Sequence, residues 1–106
     1  MTDFTLDTLA ALIASRAGHG AGASYTSALL EAGVARCARK FGEEAVELVI
    51  AAIEKDRKAL TLEAADVLYH LLVLLHSGGV ALPEVLRELE RRTAQSGHAE
   101  KAARKA

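Results

Sequence analysis

Apolar residues recur at intervals of three and four along most of the chain, which is the spacing of one face of an α-helix. The pattern predicts a helix over residues 4–17, a short helix ending at Gly33, and two long helices over 34–54 and 56–77. A last helix is expected to open at Pro83, because proline is favoured in the first turn of a helix. The sequence therefore predicts an all-α fold.

Glycine and polar residues mark where these helices start and stop. Three glycines within five residues predict a loop over 18–27. Asp56 is a favoured N-cap residue for the second long helix, and Gly78-Gly79 is a typical end for it. Because only a short turn joins the two long helices, we expect them to pack as an antiparallel helical hairpin flanked by the short helices.

The length of 106 residues predicts a single domain over 1–106, with a loose basic tail from about residue 96. A domain of this size buries only roughly 60–65% of the surface that its unfolded chain exposes. The long helices are apolar on nearly every side, which is typical of buried helices. We therefore expect a homodimer or a larger homo-oligomer, in which dimerisation completes a four-helix core.

Charge and composition narrow the range of partners. A net charge of −1 gives no basic field for nucleic acid or for an anionic membrane. The apolar run 71–75 is too short to span a bilayer, and the first residues lack the features of a signal peptide. The single cysteine, Cys37, cannot form an internal disulfide or a zinc site. These features favour a cytoplasmic protein with a small-molecule partner.

Acidic residues lie in pairs, three positions apart, on both long helices: Glu44 with Glu47, and Glu63 with Asp66. In an antiparallel hairpin the two pairs can face each other. Two like charges ~4 Å apart repel by about 4 kcal/mol at an effective dielectric constant near 20. Protons, basic side chains or a cation must offset this repulsion. An all-oxygen ligand set suits Mg²⁺, with Mn²⁺ possible, and Mg²⁺ bound by carboxylates usually acts on phosphates.

Other interpretations of the same residues remain open. Each acidic pair could belong to a solvated helix face, and the whole could be a non-catalytic helical dimerisation module whose acids pair with lysine and arginine. A di-iron carboxylate bundle is disfavoured, because the sequence has no Glu-x-x-His. The glycine-rich loop lacks the Gly-Lys-Ser/Thr that a P-loop requires.

Four blocks of the sequence carry a family resemblance. "EEAVE" (43–47) followed by "EAAD" (63–66) resembles the E-E-x-x-E … E-x-x-D signature of the MazG-like superfamily of all-α nucleoside-triphosphate pyrophosphohydrolases. The resemblance is closer to the phosphoribosyl-ATP pyrophosphohydrolases within that superfamily, whose blocks are similar to "SYTSALLEAG" (24–33), "KFGEEAVELVIAA" (40–52), "EAADVLYHLLVLL" (63–75) and "SGHAEKAARK" (96–105).

This resemblance implies Mg²⁺-dependent hydrolysis of the α–β phosphoanhydride of phosphoribosyl-ATP. The products would be phosphoribosyl-AMP and pyrophosphate, in the second step of histidine biosynthesis. The alternative is a house-cleaning (d)NTP pyrophosphohydrolase of the MazG or dUTPase type, against which the blocks at 24–33 and 96–105 argue.

The resemblance also implies roles for individual residues. Glu43 would orient or deprotonate the attacking water, and Lys40 is a candidate for a phosphate contact, although it could equally balance the charge of the glutamates. The implied metal ligands are Glu44, Glu47, Glu63 and Asp66.

The remaining candidates lie around this group. His70, one turn beyond Asp66, is expected to hydrogen-bond a ligand carboxylate, either as a support of the metal site or as a core histidine that this same bond satisfies. A role near the substrate is expected for two further sets of residues: Ser24, Tyr25 and Thr26 in the loop, and Lys101 and Arg104 in the tail.

Overall fold

A computed structural model of the protein describes residues 3–94 and residue 104. All regular secondary structure in this part of the chain is helical, which confirms the all-α prediction. The helices are α1 (Leu6–Arg16), α2 (Tyr25–Ala32), α3 (Val34–Ile53), α4 (Arg57–Ser77) and α5 (Leu82–Thr93).

The central unit of the fold is the hairpin of α3 and α4, which pack along each other. Its turn spans only residues 54–56, where Lys55 takes a left-handed backbone conformation (φ 60°). Asp56 then caps α4, because its Oδ1 accepts a 3.0 Å hydrogen bond from the Ala59 N–H. The predicted cap is confirmed, and the observed ends of α3 and α4 lie within one residue of the predicted ones.

The buried core lies at the end of the hairpin away from the turn. There α1 packs against α4, and α2 packs against both α3 and α4. This arrangement leaves the acidic residues between the core and the turn. The buried core residues are Ile13, Leu29, Cys37, Leu72, Val73 and Leu82.

The half of the hairpin nearest the turn is poorly covered in a single chain. Val46 and Ile53 of α3 are 59% and 74% exposed, and Leu62 of α4 is 57% exposed. This exposure agrees with the expectation that a single chain cannot cover both long helices, and the dimer itself stays a prediction.

Helix α4 is also long and apolar enough to cross a membrane, by length and composition alone, and 17% of its most apolar 18-residue window is buried. The apolar run over 71–75 is much shorter than this 18-residue apolar window. Central helices of soluble bundles meet the same criteria, and Glu63 and Asp66 lie within α4.

Helix α2 begins within the segment that was predicted to be a loop. Ser24 Oγ accepts a hydrogen bond of 3.0 Å from the Ser27 N–H, and Ser27 Oγ accepts one of 2.8 Å from the Ser24 N–H. This reciprocal pair is a capping box built with serine in place of the usual glutamate or glutamine. The polar residues at 24–27 therefore start a helix.

Candidate metal centre

Three acidic side chains converge where α3 faces α4. One carboxylate oxygen from each of Glu44, Glu63 and Asp66 lies within 4.8 Å of the other two. Glu63 and Asp66 share one face of α4 because they are three residues apart, and Glu44 meets them from α3. Glu44 and Glu63 are half-buried, whereas Asp66 is exposed. We call this group the carboxylate triad.

The arrangement is electrostatically unfavourable for the ionised carboxyl of Glu63. Its Oε2 is buried and has no hydrogen-bond partner in the described structure. Burial raises the pKa of the Glu63 carboxyl, and the nearby charges of Glu47, Asp66 and Glu44 raise this pKa further. A buried and unpaired carboxylate oxygen is unfavourable unless a proton or a cation compensates it.

Lys40 lies close to only one member of the triad, Glu44. Its Nζ lies 3.3 Å from Glu43 Oε1 and 4.0 Å from Glu44 Oε1. The hydrogen bond to Glu43 is the largest cause of a raised Lys40 pKa. Within residues 3–94 and 104, no ion pair reaches Glu63 or Asp66. Most of the negative charge therefore has no basic partner in this part of the chain.

The other two candidate glutamates lie beside the triad. Glu47 is exposed, and with Glu63 it lines a groove of about 210 Å³ that opens toward the turn between α3 and α4. The Glu43 side chain is 51% exposed and is held by Lys40. The structure thus brings all five acids to one region, with Glu43 and Glu47 outside the triad. Their roles stay predictions.

The triad fits a hard divalent cation. Its donors are all carboxylate oxygens, the ligand type that Mg²⁺ and Mn²⁺ prefer. Neighbouring ligand oxygens in an octahedral Mg²⁺ site are roughly 3 Å apart, because each lies about 2.1 Å from the ion. Small rotations of the three side chains are enough to bring their oxygens from separations of up to 4.8 Å to this spacing. The orphaned Glu63 Oε2 is a further donor that a cation would satisfy.

His70 is buried but does not have the ligand carboxylate that was expected as its partner. Its buried imidazole lies 2.8 Å, through Nδ1, from the backbone carbonyl oxygen of Asp66, because a side chain four residues later reaches back along its own helix. Through Nε2 the ring lies 3.2 Å from the Tyr25 hydroxyl. Sequence analysis missed this link, since the two residues lie 45 positions apart and no spacing rule connects them.

The loop candidates take different places in the structure. Ser24 is the N-cap of α2, and Thr26 is buried with its hydroxyl hydrogen-bonded to the hydroxyl of Tyr69. Tyr25 is 55% exposed. In the tail, Arg104 is exposed, while Lys101 and the rest of the predicted basic tail lie outside the described residues.

Comparison with known proteins gives a consistent result. Residues 6–93, which include all five helices, match the family model described as Phosphoribosyl-ATP pyrophosphohydrolase. The chain is 63% identical over 105 residues to the phosphoribosyl-ATP pyrophosphatase of Methylobacterium radiotolerans, an alignment that covers 99% of this chain and 98% of the relative.

Two other relatives show the same near-complete coverage. The phosphoribosyl-ATP pyrophosphatase of Methylobacterium nodulans is 58% identical over 105 residues, with 99% and 98% of the two chains covered. That of Azorhizobium caulinodans is 57% identical over 100 residues, with 94% and 92% covered. The chain therefore belongs to the phosphoribosyl-ATP pyrophosphohydrolase family.

Proposed function

We propose that this protein hydrolyses the α–β phosphoanhydride of phosphoribosyl-ATP to phosphoribosyl-AMP and pyrophosphate, the second step of histidine biosynthesis, in a reaction that requires Mg²⁺. The observation that carries the proposal is the carboxylate triad with its buried, unpaired Glu63 oxygen. A triphosphate brings Mg²⁺ with it, and the triad offers ligands for the side of the ion that the phosphates leave free. Family membership favours phosphoribosyl-ATP as the substrate.

In this proposal the triad holds Mg²⁺, with Glu47 as a further ligand across the groove from Glu63. The ion supplies charge neutralisation of the phosphate oxygens and positions or acidifies a water molecule. Mn²⁺ has the same ligand preference and could replace it. The protein contributes the fixed placement of carboxylates from two packed helices, which is more rigid than a site built on loops.

Glu43 and Lys40 act next to the ion. Glu43 is exposed enough to reach a water molecule, and it would orient that water or accept its proton. Lys40 lies one turn before Glu44 on α3, and its ammonium group can turn from Glu43 to a phosphate oxygen when the substrate binds. Lys101 and Arg104 remain candidates for contacts to the outer phosphates.

The loop residues support the substrate side of the site. Ser24 fixes the start of α2, and Thr26 anchors that helix to α4 through Tyr69. Both therefore act by holding the helix, and Tyr25 is the member of this group whose side chain is open to a ligand.

A substrate panel tests the proposal. Pyrophosphate release is measured with phosphoribosyl-ATP and with each canonical dNTP, in the presence of Mg²⁺ and of EDTA. We expect turnover of phosphoribosyl-ATP only, and only with Mg²⁺. Faster turnover of a dNTP would replace this function with the house-cleaning alternative, and turnover in EDTA would remove the metal from the reaction.

We also propose that the protein is a soluble cytoplasmic enzyme and a homodimer whose two α3–α4 hairpins form a four-helix core. Support comes from the apolar side chains left uncovered near the turn. A second hairpin covers this face at little cost, because both surfaces are already ordered. Light scattering at micromolar concentration is expected to give about twice the 11.2 kDa of one chain. A monomeric mass would refute the dimer.

A further inference from the structure

A buried histidine links α2 to the helix that carries two members of the triad. His70 is 5% exposed, and both of its ring nitrogens have partners: the Asp66 carbonyl oxygen at 2.8 Å and the Tyr25 hydroxyl at 3.2 Å. The ring is also enclosed by aromatic side chains, with the Tyr69 ring edge-on at a centroid distance of 4.9 Å and the Tyr25 ring at 6.1 Å. His70 therefore has little freedom to turn.

These partners determine which nitrogen of neutral His70 carries the proton. A carbonyl oxygen can only accept a hydrogen bond, so Nδ1 must carry the hydrogen that it donates to Asp66. In neutral imidazole the other nitrogen, Nε2, is then an acceptor. The Tyr25 hydroxyl must donate its only hydrogen to Nε2, which leaves the lone pairs of the phenolic oxygen as the group that Tyr25 offers outward.

Tyr25 lies next to the candidate site. Its hydroxyl connects through a single imidazole ring to the backbone of Asp66. It also lies near Lys40, whose pKa is raised first by the hydrogen bond to Glu43 and next by the negative charge of ionised Tyr25. Tyr25 is 55% exposed, so the residue is open to a ligand.

We propose that Tyr25 is a substrate-binding residue that accepts a hydrogen bond from a hydroxyl or amino group of the substrate, and that His70 is the positioning residue that keeps the Tyr25 hydroxyl in this orientation. The inference rests on the proposed function and extends it. Phosphate oxygens are acceptors and need donors such as Lys40. An acceptor at Tyr25 instead suits the donor groups of the sugar or base of a nucleotide. Lys40 and Tyr25 would therefore contact different parts of one ligand.

Kinetics of matched variants with phosphoribosyl-ATP and saturating Mg²⁺ test the proposal. Tyr25→Phe removes the acceptor, and we expect KM to rise about 3- to 10-fold, the range of one hydrogen bond, with kcat within about 2-fold. Thr93→Val is the control: it removes an exposed, hydrogen-bonded hydroxyl from α5, a helix that carries no candidate site residue, and KM should stay within about 2-fold. An unchanged KM in Tyr25→Phe, or an equal rise in Thr93→Val, would overturn the assignment.

Two replacements of His70 separate positioning from mere packing. Asparagine can keep the bond to the Asp66 carbonyl because its amide lies where Nδ1 lies, but it cannot reach Tyr25. Glutamine is one bond longer and can present an acceptor near the position of Nε2. We expect His70→Asn to raise KM as much as Tyr25→Phe does, and we expect KM of His70→Gln to lie close to the wild-type value. KM of the double variant Tyr25→Phe/His70→Asn should be no higher than that of either single variant. Additive losses, or glutamine no better than asparagine, would mean that His70 acts only as a core residue.

The proton position is tested without substrate. Nitrogen-15 NMR of the wild type at about pH 8.5, two units above the ordinary pKa of imidazole, should show the His70 hydrogen on Nδ1. A hydrogen on Nε2 would refute the proposed orientation of Tyr25. This measurement separates the two proposals: if the wild type hydrolyses another nucleotide of the panel, the proposed function fails, and the same KM ratios are then measured with that nucleotide.

Discussion

Two glutamates of this protein have opposite surroundings. Glu88 on α5 accepts hydrogen bonds from Arg91 at 2.7 Å and from Arg92 at 2.9 Å, and these bonds lower its pKa to about 2. Glu63 on α4 has a buried oxygen that finds no partner among the described residues, and burial and neighbouring acids raise the pKa of its carboxyl. One carboxylate is satisfied by the chain itself, and the other is left unsatisfied in the fold.

The contrast separates an acid that the chain itself satisfies from one that we propose to bind a metal ion. Thirteen lysines and arginines were available to this chain, against fourteen aspartates and glutamates, so a shortage of bases does not explain the triad. Glu88 of α5 has arginines one turn away, whereas within residues 3–94 and 104 no base pairs with Glu63 or Asp66 of α4. Such an arrangement is unfavourable for folding, and a ligand that compensates it gives a reason for it.

The largest effect is expected from removing a charge of the triad. In Glu63→Gln or Asp66→Asn, turnover of phosphoribosyl-ATP with Mg²⁺ should fall roughly a hundred- to a thousandfold, because a lost ligand weakens both metal binding and its placement. Glu47→Gln should lose activity as well if Glu47 completes the ligand set. Steady-state kinetics measures this, with far-UV circular dichroism to show that the helices are intact.

The matched control for this comparison is Glu88→Gln. The substitution removes one carboxylate charge from a helix that carries no member of the triad, and turnover should stay within about 2-fold of the wild type. Full activity in both triad variants, or equal losses in Glu63→Gln and Glu88→Gln, would mean that the difference between the two glutamates has no functional meaning.

The next effect concerns metal binding and stability. Mg²⁺ that binds only the folded state should stabilise the wild type by about 2.7 kcal/mol at a concentration of 100 times Kd. For a domain of this size that corresponds to a rise of about 10 °C or more in Tm. The rise should disappear in Glu63→Gln and persist in Glu88→Gln, as measured by thermal unfolding at fixed protein concentration in EDTA and in Mg²⁺. Equal shifts in all three proteins would place the ion elsewhere.

The opposite pKa shifts predict opposite responses to acid in the metal-free protein. Glu88 has a lowered pKa, so its contribution to the free energy of unfolding is full above the ordinary value of 4.5 and is lost as pH falls toward 2. Glu63 has a raised pKa, so its ionised form is unfavourable above that pKa, and protonation relieves this as pH falls.

Urea unfolding between about pH 3 and pH 7 in EDTA measures this difference. As pH falls, the stability of the wild type should drop relative to Glu88→Gln and should rise relative to Glu63→Gln. Two difference curves with the same sign of slope would contradict the comparison. Protein concentration is held constant in every series, because the stability of a dimer depends on it.

The sequence predicts most of the hairpin and the triad for simple geometric reasons. Asp56 marks the start of α4, and the short turn before it forces α3 and α4 together. Once the hairpin forms, three-residue spacing places Glu63 and Asp66 on one face, opposite Glu44. All of these relations are local or depend on a single turn, so periodicity is enough to find them.

Other features depend on contacts between distant residues or on small differences in local chemistry. The start of α2 was missed because Ser24 and Ser27 cap it in a segment whose composition is typical of a loop. The bond between Tyr25 and His70 depends on how α2 packs on α4, which hydrophobic spacing does not specify. The exposed apolar face near the turn depends on how far α1 and α2 reach along the hairpin.

The smallest effect is expected on the thermal stability of the protein when the ion pairs of Glu88 on α5 are removed. Its pairs with Arg91 and Arg92 are exposed, and exposed ion pairs contribute little to stability even when their geometry is good. Because α5 also makes few contacts with the other described helices, Glu88→Gln should lower Tm by no more than about 3 °C. Glu90→Gln on the same helix is the control, and the difference between the two variants should shrink in 1 M NaCl, where the Debye length is about 3 Å. A fall in Tm well above 3 °C would show that the ion pairs of α5 are important for the fold. The Glu88 carboxylate would then matter to stability as much as the Glu63 carboxylate matters to the proposed chemistry.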